Sequence, residues 1–281
     1  MSRFKLIALR YYGYIGLALI ACAFANFFLV IQPFARWYIP IIWGGYILLV
    51  DSIVRSISGR SLMTTYFREF LFMAVLSVPF WLIFEGYNLV GGYWQYANYN
   101  WHVHLIDFAT IIPAVLVTYS LLRAVNAYSG FDTVPKEKAR RGRAVYLLPL
   151  VAVGLFAAAL PALDPAIGFP LVWVGPFLLL DPLNRMLGRP SLIGFAGRGR
   201  LSITFQLFTA GIIMGFFWEF WNYLAFSKWT YSIPLLAANM KLFEMPLPGY
   251  LGYLPFAAVV FLFYALFRPL LFKQKNQVLG I

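Results

Sequence analysis

The chain has few of the residues that soluble folds and metal centres need. Only 11% of its 281 residues are charged, whereas 62% are hydrophobic. A soluble domain of this length exposes far more charge, so the composition excludes that class and predicts an integral membrane protein. The sole cysteine, Cys22, excludes an intramolecular disulfide. Because only 2 histidines accompany it, we expect no structural zinc site and no other cofactor.

Several catalytic motifs are also missing. The chain contains no phosphate-binding Gly-rich loop, no Gly-x-Ser-x-Gly and no His-Glu-x-x-His, which removes support for ATPase, serine hydrolase and zinc protease mechanisms. Acidic residues are scarce, with 10 against 22 basic residues and a net charge of +12. We interpret this excess as basic loops that face anionic lipid on the cytoplasmic side, not as a nucleic-acid surface.

Long apolar runs make up most of the sequence, and a membrane helix needs about 20 such residues. Eight runs qualify or nearly qualify, and the first is interpreted as an uncleaved helix, not a signal peptide. The fifth and sixth are short and contain proline, so an alternative is a hairpin that does not fully cross. The runs lie at about 12–32, 37–54, 69–90, 105–125, 144–162, 166–184, 201–225 and 248–270.

The basic residues predict the orientation. With eight crossing helices, 19 of the 22 lysines and arginines fall in segments on one side. The exceptions are Arg36, Lys228 and Lys241. The positive-inside rule therefore predicts a multi-pass protein of the cell (inner) membrane with both termini in the cytoplasm.

The two halves of the chain repeat one another. The segment PIIWGGYILLVDSIVR at 40–55 matches PLVWVGPFLLLDPLNR at 170–185, with a constant offset of 130. The fold class predicted is all-α transmembrane, with eight helices as two four-helix repeats at 1–133 and 144–281. A basic cytoplasmic linker at 134–143 joins them. An even number of helices per repeat makes the repeats parallel, related by a pseudo-two-fold axis along the membrane normal.

The repeated polar residues predict a site. Both halves read Glu-x-x-Asn and then Trp-x-Tyr, and the two acids are Glu85 and Glu219. A carboxylate within the membrane costs roughly 2.5–3.5 kcal/mol, so it is functional or paired with another polar group. The alternative is a structural hydrogen bond that ties the two halves together. The residues predicted to bind substrate are Asn88, Asn222, Trp94, Tyr96, Trp229, Tyr231, His102 and His104.

Both histidines of the chain precede an acid in the first half only. His102, His104 and Asp107 are candidate metal ligands, but the second half has no histidine. We therefore favour interfacial hydrogen-bonding groups and predict no metal site, because such a site also needs further ligands.

Two acid–arginine pairs recur at the cytoplasmic ends of the second and sixth helices. Asp51 with Arg55, and Asp181 with Arg185, have the i,i+4 spacing of a helical ion pair. The alternative is that the paired arginines bind a lipid phosphate.

The order of these features resembles the membrane lycopene cyclase domain. In order along the chain, the features are an acidic residue among aromatic residues, a Trp-x-aromatic motif, and an outer segment with an acidic residue and proline. In the second half these are Glu219 in WEFWN, then WTY, then FEMPLPG with Glu244; in the first they are Glu85, WQY and HLIDFATIIP with Asp107. That family's Pro-x-Glu-Glu is absent. The resemblance implies acid-catalysed cyclisation or isomerisation of a polyene or isoprenoid, with these four carboxylates as catalytic groups and no redox cofactor.

Three classes of function remain open at this stage. They are a membrane enzyme acting on a lipid or isoprenoid, a proton-coupled transporter or lipid flippase, and a non-catalytic protein that binds lipid or a partner. Glutamates near the outer leaflet favour a pocket open to lipid over a path through the membrane. Gln206 and Thr209, within the seventh helix, favour transport. Anionic lipids on the cytoplasmic face are expected partners.

Overall fold

A computed structural model describes residues 9–133, 147–233, 240–272 and 279. The predicted linker at 134–143 lies outside these residues. The described helices are α1 Tyr11–Leu29, α2 Tyr38–Ser58, α3 Phe67–Gly91, α4 Trp101–Ala124, α5 Leu148–Leu163, α6 Pro165–Gly168, α7 Leu171–Met186, α8 Leu192–Ala196, α9 Leu201–Leu224 and α10 Tyr253–Phe267. The short strands are β1 Trp94–Tyr96, β2 Trp229–Tyr231, β3 Lys241–Leu242 and β4 Met245–Pro246.

The chain is helical, and 6 of its described helical segments are long and apolar enough to cross a membrane. They are α1, α2, α3, α4, α9 and the segment Leu247–Leu270, which contains α10. The predicted fifth and sixth spans form α5 and α7, each of 16 residues. At 1.5 Å per residue such a helix is about 24 Å long, shorter than the roughly 30 Å hydrocarbon core. Six of the eight predicted spans thus have full crossing length.

Close helix pairs form where glycines face each other. A Cβ added to Gly16 of α1 would lie 2.6 Å from the carbonyl oxygen of Gly45 in α2. In the α5–α7 pair, a Cβ at Gly154 or Gly175 would lie 2.4 or 2.6 Å from a backbone nitrogen of the partner helix. Small residues let helix backbones approach closely where the surroundings are apolar. The pairs α1–α2 and α5–α7 depend on this approach.

The centre of the bundle is formed by α4, α9 and α10. Helix α4 packs on α2, α3 and α9, while α10 packs on α7, α9 and α4. All residues from Phe256 to Ala265 are buried, as expected for a helix surrounded by others. At the end of the bundle far from β1 and β2, Arg268 makes a two-pronged ion pair with buried Glu69 of α3, at 2.7 and 2.8 Å. Tyr264 also donates to this carboxylate.

The ion pairs predicted within α2 (Asp51 with Arg55) and within α7 (Asp181 with Arg185) do not form in the described chain. Asp51 accepts from the backbone N–H of Met63 and from a tyrosine hydroxyl, at 3.1 and 3.0 Å. Asp181 accepts from the backbone N–H groups of Leu192 and Ile193, at 2.5 and 3.0 Å. In the described chain neither carboxylate lies within ion-pair distance of Arg55 or Arg185. The reason is that unpaired backbone amides further along the chain satisfy each carboxylate, from the following loop at Asp51 and from the first turn of α8 at Asp181.

The long helices α3 and α9 end where the strands begin. Gly92 ends α3 with a positive φ of 61°, and its N–H donates to the carbonyl of Asn88. Glycine adopts this left-handed conformation without a Cβ penalty, which lets the chain turn at once into β1. Helix α9 ends instead at Ala225, in an extended conformation, with its N–H donated to the carbonyl of Asn222. Both helices therefore deliver a Trp-x-Tyr strand to the same end of the bundle.

Candidate functional site

The two Trp-x-Tyr segments pair with each other. Strands β1 and β2 are antiparallel, with Trp94 opposite Tyr231 and Tyr96 opposite Trp229. The tryptophan of each strand thus lies beside the tyrosine of the other. This pairing joins the first and second halves of the chain through equivalent residues, as in a two-fold contact.

An asparagine ties each strand to the helix before it. The Asn88 amide donates to the carbonyl of Trp94 at 3.0 Å and accepts from its N–H at 2.8 Å. Asn222 makes the same two bonds to Trp229, both at 2.8 Å. An amide side chain has both a donor and an acceptor, so it pairs with a backbone as a neighbouring strand does. The asparagine in each Glu-x-x-Asn thus fixes the position of the strand.

Each strand then forms a relay of hydrogen bonds to the glutamate. In the first relay the Trp94 indole donates to the Tyr96 hydroxyl at 3.1 Å, and this hydroxyl donates to Glu85 at 2.5 Å. In the second, Trp229 donates to Tyr231 at 2.7 Å, and Tyr231 donates to Glu219 at 2.6 Å. We name these chains the Glu85 relay and the Glu219 relay.

Burial keeps the two relay tyrosines protonated. Desolvation raises the pKa of the Tyr96 and Tyr231 hydroxyls well above the usual range, and the nearby glutamate charge raises it further. Both hydroxyls are therefore hydrogen-bond donors at physiological pH.

The two glutamates take a further donor from different places. Glu85 accepts from the indole of Trp81, four residues earlier on α3, at 2.8 Å. Four residues before Glu219 stands Gly215, and the ring of Tyr253 from α10 fills the space beside it. The Tyr253 hydroxyl donates to Glu219 at 2.6 Å.

A cavity lies between the halves, next to the paired strands. Its volume is about 50 Å³, on a scale where one water takes roughly 10–15 Å³. With the open solvent space at its entrance included, the volume is about 770 Å³. Aromatic residues form most of the wall, and six of them are tryptophans, three from each half of the chain. The aromatic residues that line it are Trp43, Trp81, Trp94, Tyr96, Phe108, Trp173, Trp218, Trp229, Tyr231, Tyr253 and Phe256.

One histidine–aspartate pair lies in the cavity wall. His104 and Asp107 both line it, and His104 Nδ1 lies 3.1 Å from Asp107 Oδ2. Within the described chain, His104 Nε2 and Asp107 Oδ1 are buried and have no hydrogen-bond partner. No group of three or more His, Cys, Asp or Glu able to hold a metal occurs among the residues that the structure covers.

Known proteins supply no assignment for this site. The chain matches no family model, no curated protein and no solved structure. Its chemistry is therefore argued from the geometry of its own residues.

The predicted site residues do not all lie at the cavity. Those in the cavity wall are Trp94, Tyr96, His104, Asp107, Trp229 and Tyr231. Glu85 and Glu219 lie behind tyrosine hydroxyls, and Asn88 and Asn222 hold the strands. Glu244 forms an ion pair with Lys228 at 2.6 Å and is not part of the wall. His102 is exposed and lies against the ring of Trp101, with ring centres 3.6 Å apart.

Sequence reasoning missed several wall residues. Trp43 and Trp173 stand at matching positions of the predicted repeat, 130 residues apart, and this sequence match is the available signal. Trp81, Trp218 and Tyr253 carry no repeated signal. Tyr253 lies at the start of α10, and only the packing of α10 against α9 reveals that it reaches Glu219.

Proposed function

We propose that the chain is a membrane protein of two parallel four-helix repeats with both termini in the cytoplasm, and that the repeats enclose one ligand cavity near the outer leaflet. Matched helix pairs support the repeat, because α1–α2 and α3–α4 in the first half correspond to α5–α7 and α9–α10 in the second. The paired strands and the two relays support a pseudo-two-fold axis between the halves. The distribution of basic residues supports the orientation.

The ligand that this cavity suits is an unsaturated lipid or isoprenoid. The observation that carries the proposal is the wall of six indoles, contributed by both halves of the chain. Indole faces provide apolar contact area, and their negative π-faces attract positive charge that develops on a polyene. A cavity of this small volume holds one end of such a molecule, while the rest extends into the bilayer.

The chemistry proposed is proton transfer to and from a carbon–carbon double bond. Protonation of one alkene carbon leaves a carbocation, and loss of a proton from a neighbouring carbon restores a double bond at a new position. This isomerisation, or the related ring closure, is redox-neutral. Asp107 stands in the wall itself, whereas Glu85 and Glu219 act on the cavity through the hydroxyls of Tyr96 and Tyr231.

Lipid that purifies with the protein tests this proposal. Wild type and the variants Trp218→Ala and Glu219→Gln would be purified in detergent, extracted and analysed by mass spectrometry. A polyene or isoprenoid should accompany wild type, fall strongly in Trp218→Ala and remain bound but unconverted in Glu219→Gln. The matched control is Trp101→Ala, because Trp101 lies at the same end of the bundle but is exposed and outside the wall.

The opposite result is equally clear. A wild-type protein that carries no such lipid, but drives proton-dependent uptake of solute in liposomes, would replace this proposal with transport.

A further inference from the structure

The cavity is nearly two-fold in its aromatic residues but one-sided in its polar residues. In the second half, Glu244 pairs with Lys228 and does not line the cavity, and the wall there includes Gly249 and Gly252. Gly249 lines the cavity, yet it has no side chain to form a hydrogen bond. The first half alone therefore presents an imidazole and a carboxylate to the ligand.

In a neutral imidazole, the contact with Asp107 decides which nitrogen of His104 carries the proton. A carboxylate oxygen accepts hydrogen bonds, so the 3.1 Å contact places the proton of a neutral imidazole on Nδ1. The other nitrogen, Nε2, then carries a lone pair and accepts. Ring packing holds this orientation, because Tyr99 and Tyr96 lie 4.6 and 4.8 Å from the imidazole, measured between ring centres.

Two polar atoms of this pair are left without partners. His104 Nε2 and Asp107 Oδ1 are both acceptors, and in the described chain neither receives a hydrogen bond. Leaving a buried acceptor unsatisfied costs free energy. A ligand group that carries an O–H would remove this cost, whereas a group that only accepts would not.

We propose that His104 and Asp107 form the polar end of the cavity and bind a hydroxyl group of the ligand. The ligand class is then a lipid or isoprenoid alcohol, with its hydroxyl donated to His104 Nε2 and its apolar end among the indoles. This inference rests on the proposed function, since it concerns the same cavity. Asp107 is here a positioning residue, which acts by orienting the imidazole.

Three probes with the same carbon skeleton separate the contributions. Farnesol has an O–H donor, farnesyl methyl ether has only an acceptor oxygen, and farnesene has no oxygen. Each would be titrated into the detergent-solubilised protein while tryptophan fluorescence is followed, because six indoles line the cavity. We expect farnesol to bind about fivefold to tenfold more tightly than either of the others, which corresponds to one hydrogen bond.

Substitutions at His104 and Asp107 test whether this pair causes the preference for farnesol. His104→Phe keeps an aromatic ring but removes both nitrogens, so it should bind all three probes equally and retain the affinity of wild type for farnesene. Asp107→Asn should reduce the preference for farnesol, and it decides the matter if His104→Phe does not fold. His102→Phe is the matched control, since His102 is exposed, and it should behave as wild type.

The outcomes distinguish the two proposals. Equal binding of the three probes to wild type, or a farnesol preference that survives in His104→Phe, overturns the hydroxyl site and leaves the apolar cavity standing. Binding of none of the probes overturns both.

Discussion

The Glu85 relay and the Glu219 relay use the same backbone geometry with different surroundings. In both, an asparagine holds the strand and a Trp–Tyr pair leads to the carboxylate. The extra donor differs, because Trp81 comes from the same helix as Glu85, while Tyr253 comes from the helix that packs against the helix of Glu219. Glu219 is fully buried and Glu85 is partly exposed. The comparison teaches that the two halves retain a donor for each glutamate, although they supply it from different elements.

The largest loss of stability is expected at Gly215, beside the extra donor that distinguishes the Glu219 relay from the Glu85 relay. In Gly215→Ala the new Cβ would lie 2.3 Å from the ring of Tyr253. Relieving this overlap should cost about 3 kcal/mol of unfolding free energy, measured by thermal or denaturant unfolding in detergent. Gly86→Ala on α3 is the control, because nothing lies within 4 Å of its Cβ. It should leave stability unchanged or raise it by up to about 1 kcal/mol.

Removing the ring tests the cause of this loss. Tyr253→Ala itself destabilises the protein, because Glu219 loses a donor, so the test is a double-mutant cycle: Gly215→Ala should cost much less stability in a Tyr253→Ala background than in wild type. An equal cost of Gly215→Ala in both backgrounds would show that the Tyr253 ring is not the neighbour that matters.

The next largest loss of stability is expected when the two asparagines are replaced. Asn222→Ala leaves a buried N–H and carbonyl of Trp229 without partners and should cost about 2 kcal/mol. Asn88→Ala breaks the same bonds to Trp94, but Asn88 is less buried, so the cost should be about 1 kcal/mol. The same unfolding measurement compares them. An equal cost at both sites would contradict the difference in burial between the relays.

Much of this arrangement follows from the sequence, but its central contact does not. The apolar runs predict the six long helices, and the repeated Glu-x-x-Asn and Trp-x-Tyr predict two equivalent polar groups. That Trp94 and Trp229 belong to strands that pair with each other depends on how the halves pack. The partners of Asp51 and Asp181 do not follow from the sequence, for a related reason. A spacing of four on a helix indicates an ion pair, while the competing backbone amides become visible only in three dimensions.

The smallest losses of stability are expected when the tyrosine hydroxyls are removed. Tyr231→Phe leaves the Trp229 indole and Glu219 with one partner fewer and should cost about 1 kcal/mol. Tyr96→Phe should cost less, because Glu85 keeps the Trp81 indole and a second contact from Trp94 at 3.3 Å. Tyr223→Phe, at an exposed tyrosine on α9, is the control and should have no measurable effect. A larger loss in Tyr96→Phe than in Tyr231→Phe would reverse the comparison.

The most direct test of the central claim, that the two halves meet through their Trp-x-Tyr strands, is a disulfide between them. Gln95 and Thr230 are exposed and directly opposite each other in the strand pair, and opposite residues there lie about 4.5–5.5 Å apart, within disulfide range. Mild oxidation of a Cys22→Ala, Gln95→Cys, Thr230→Cys protein should give an intramolecular disulfide, seen as a reductant-sensitive link between the halves after cleavage of the chain between them. The two single-cysteine proteins should show no such link. If the double variant is also not linked under these conditions, the strands do not pair and the account is contradicted.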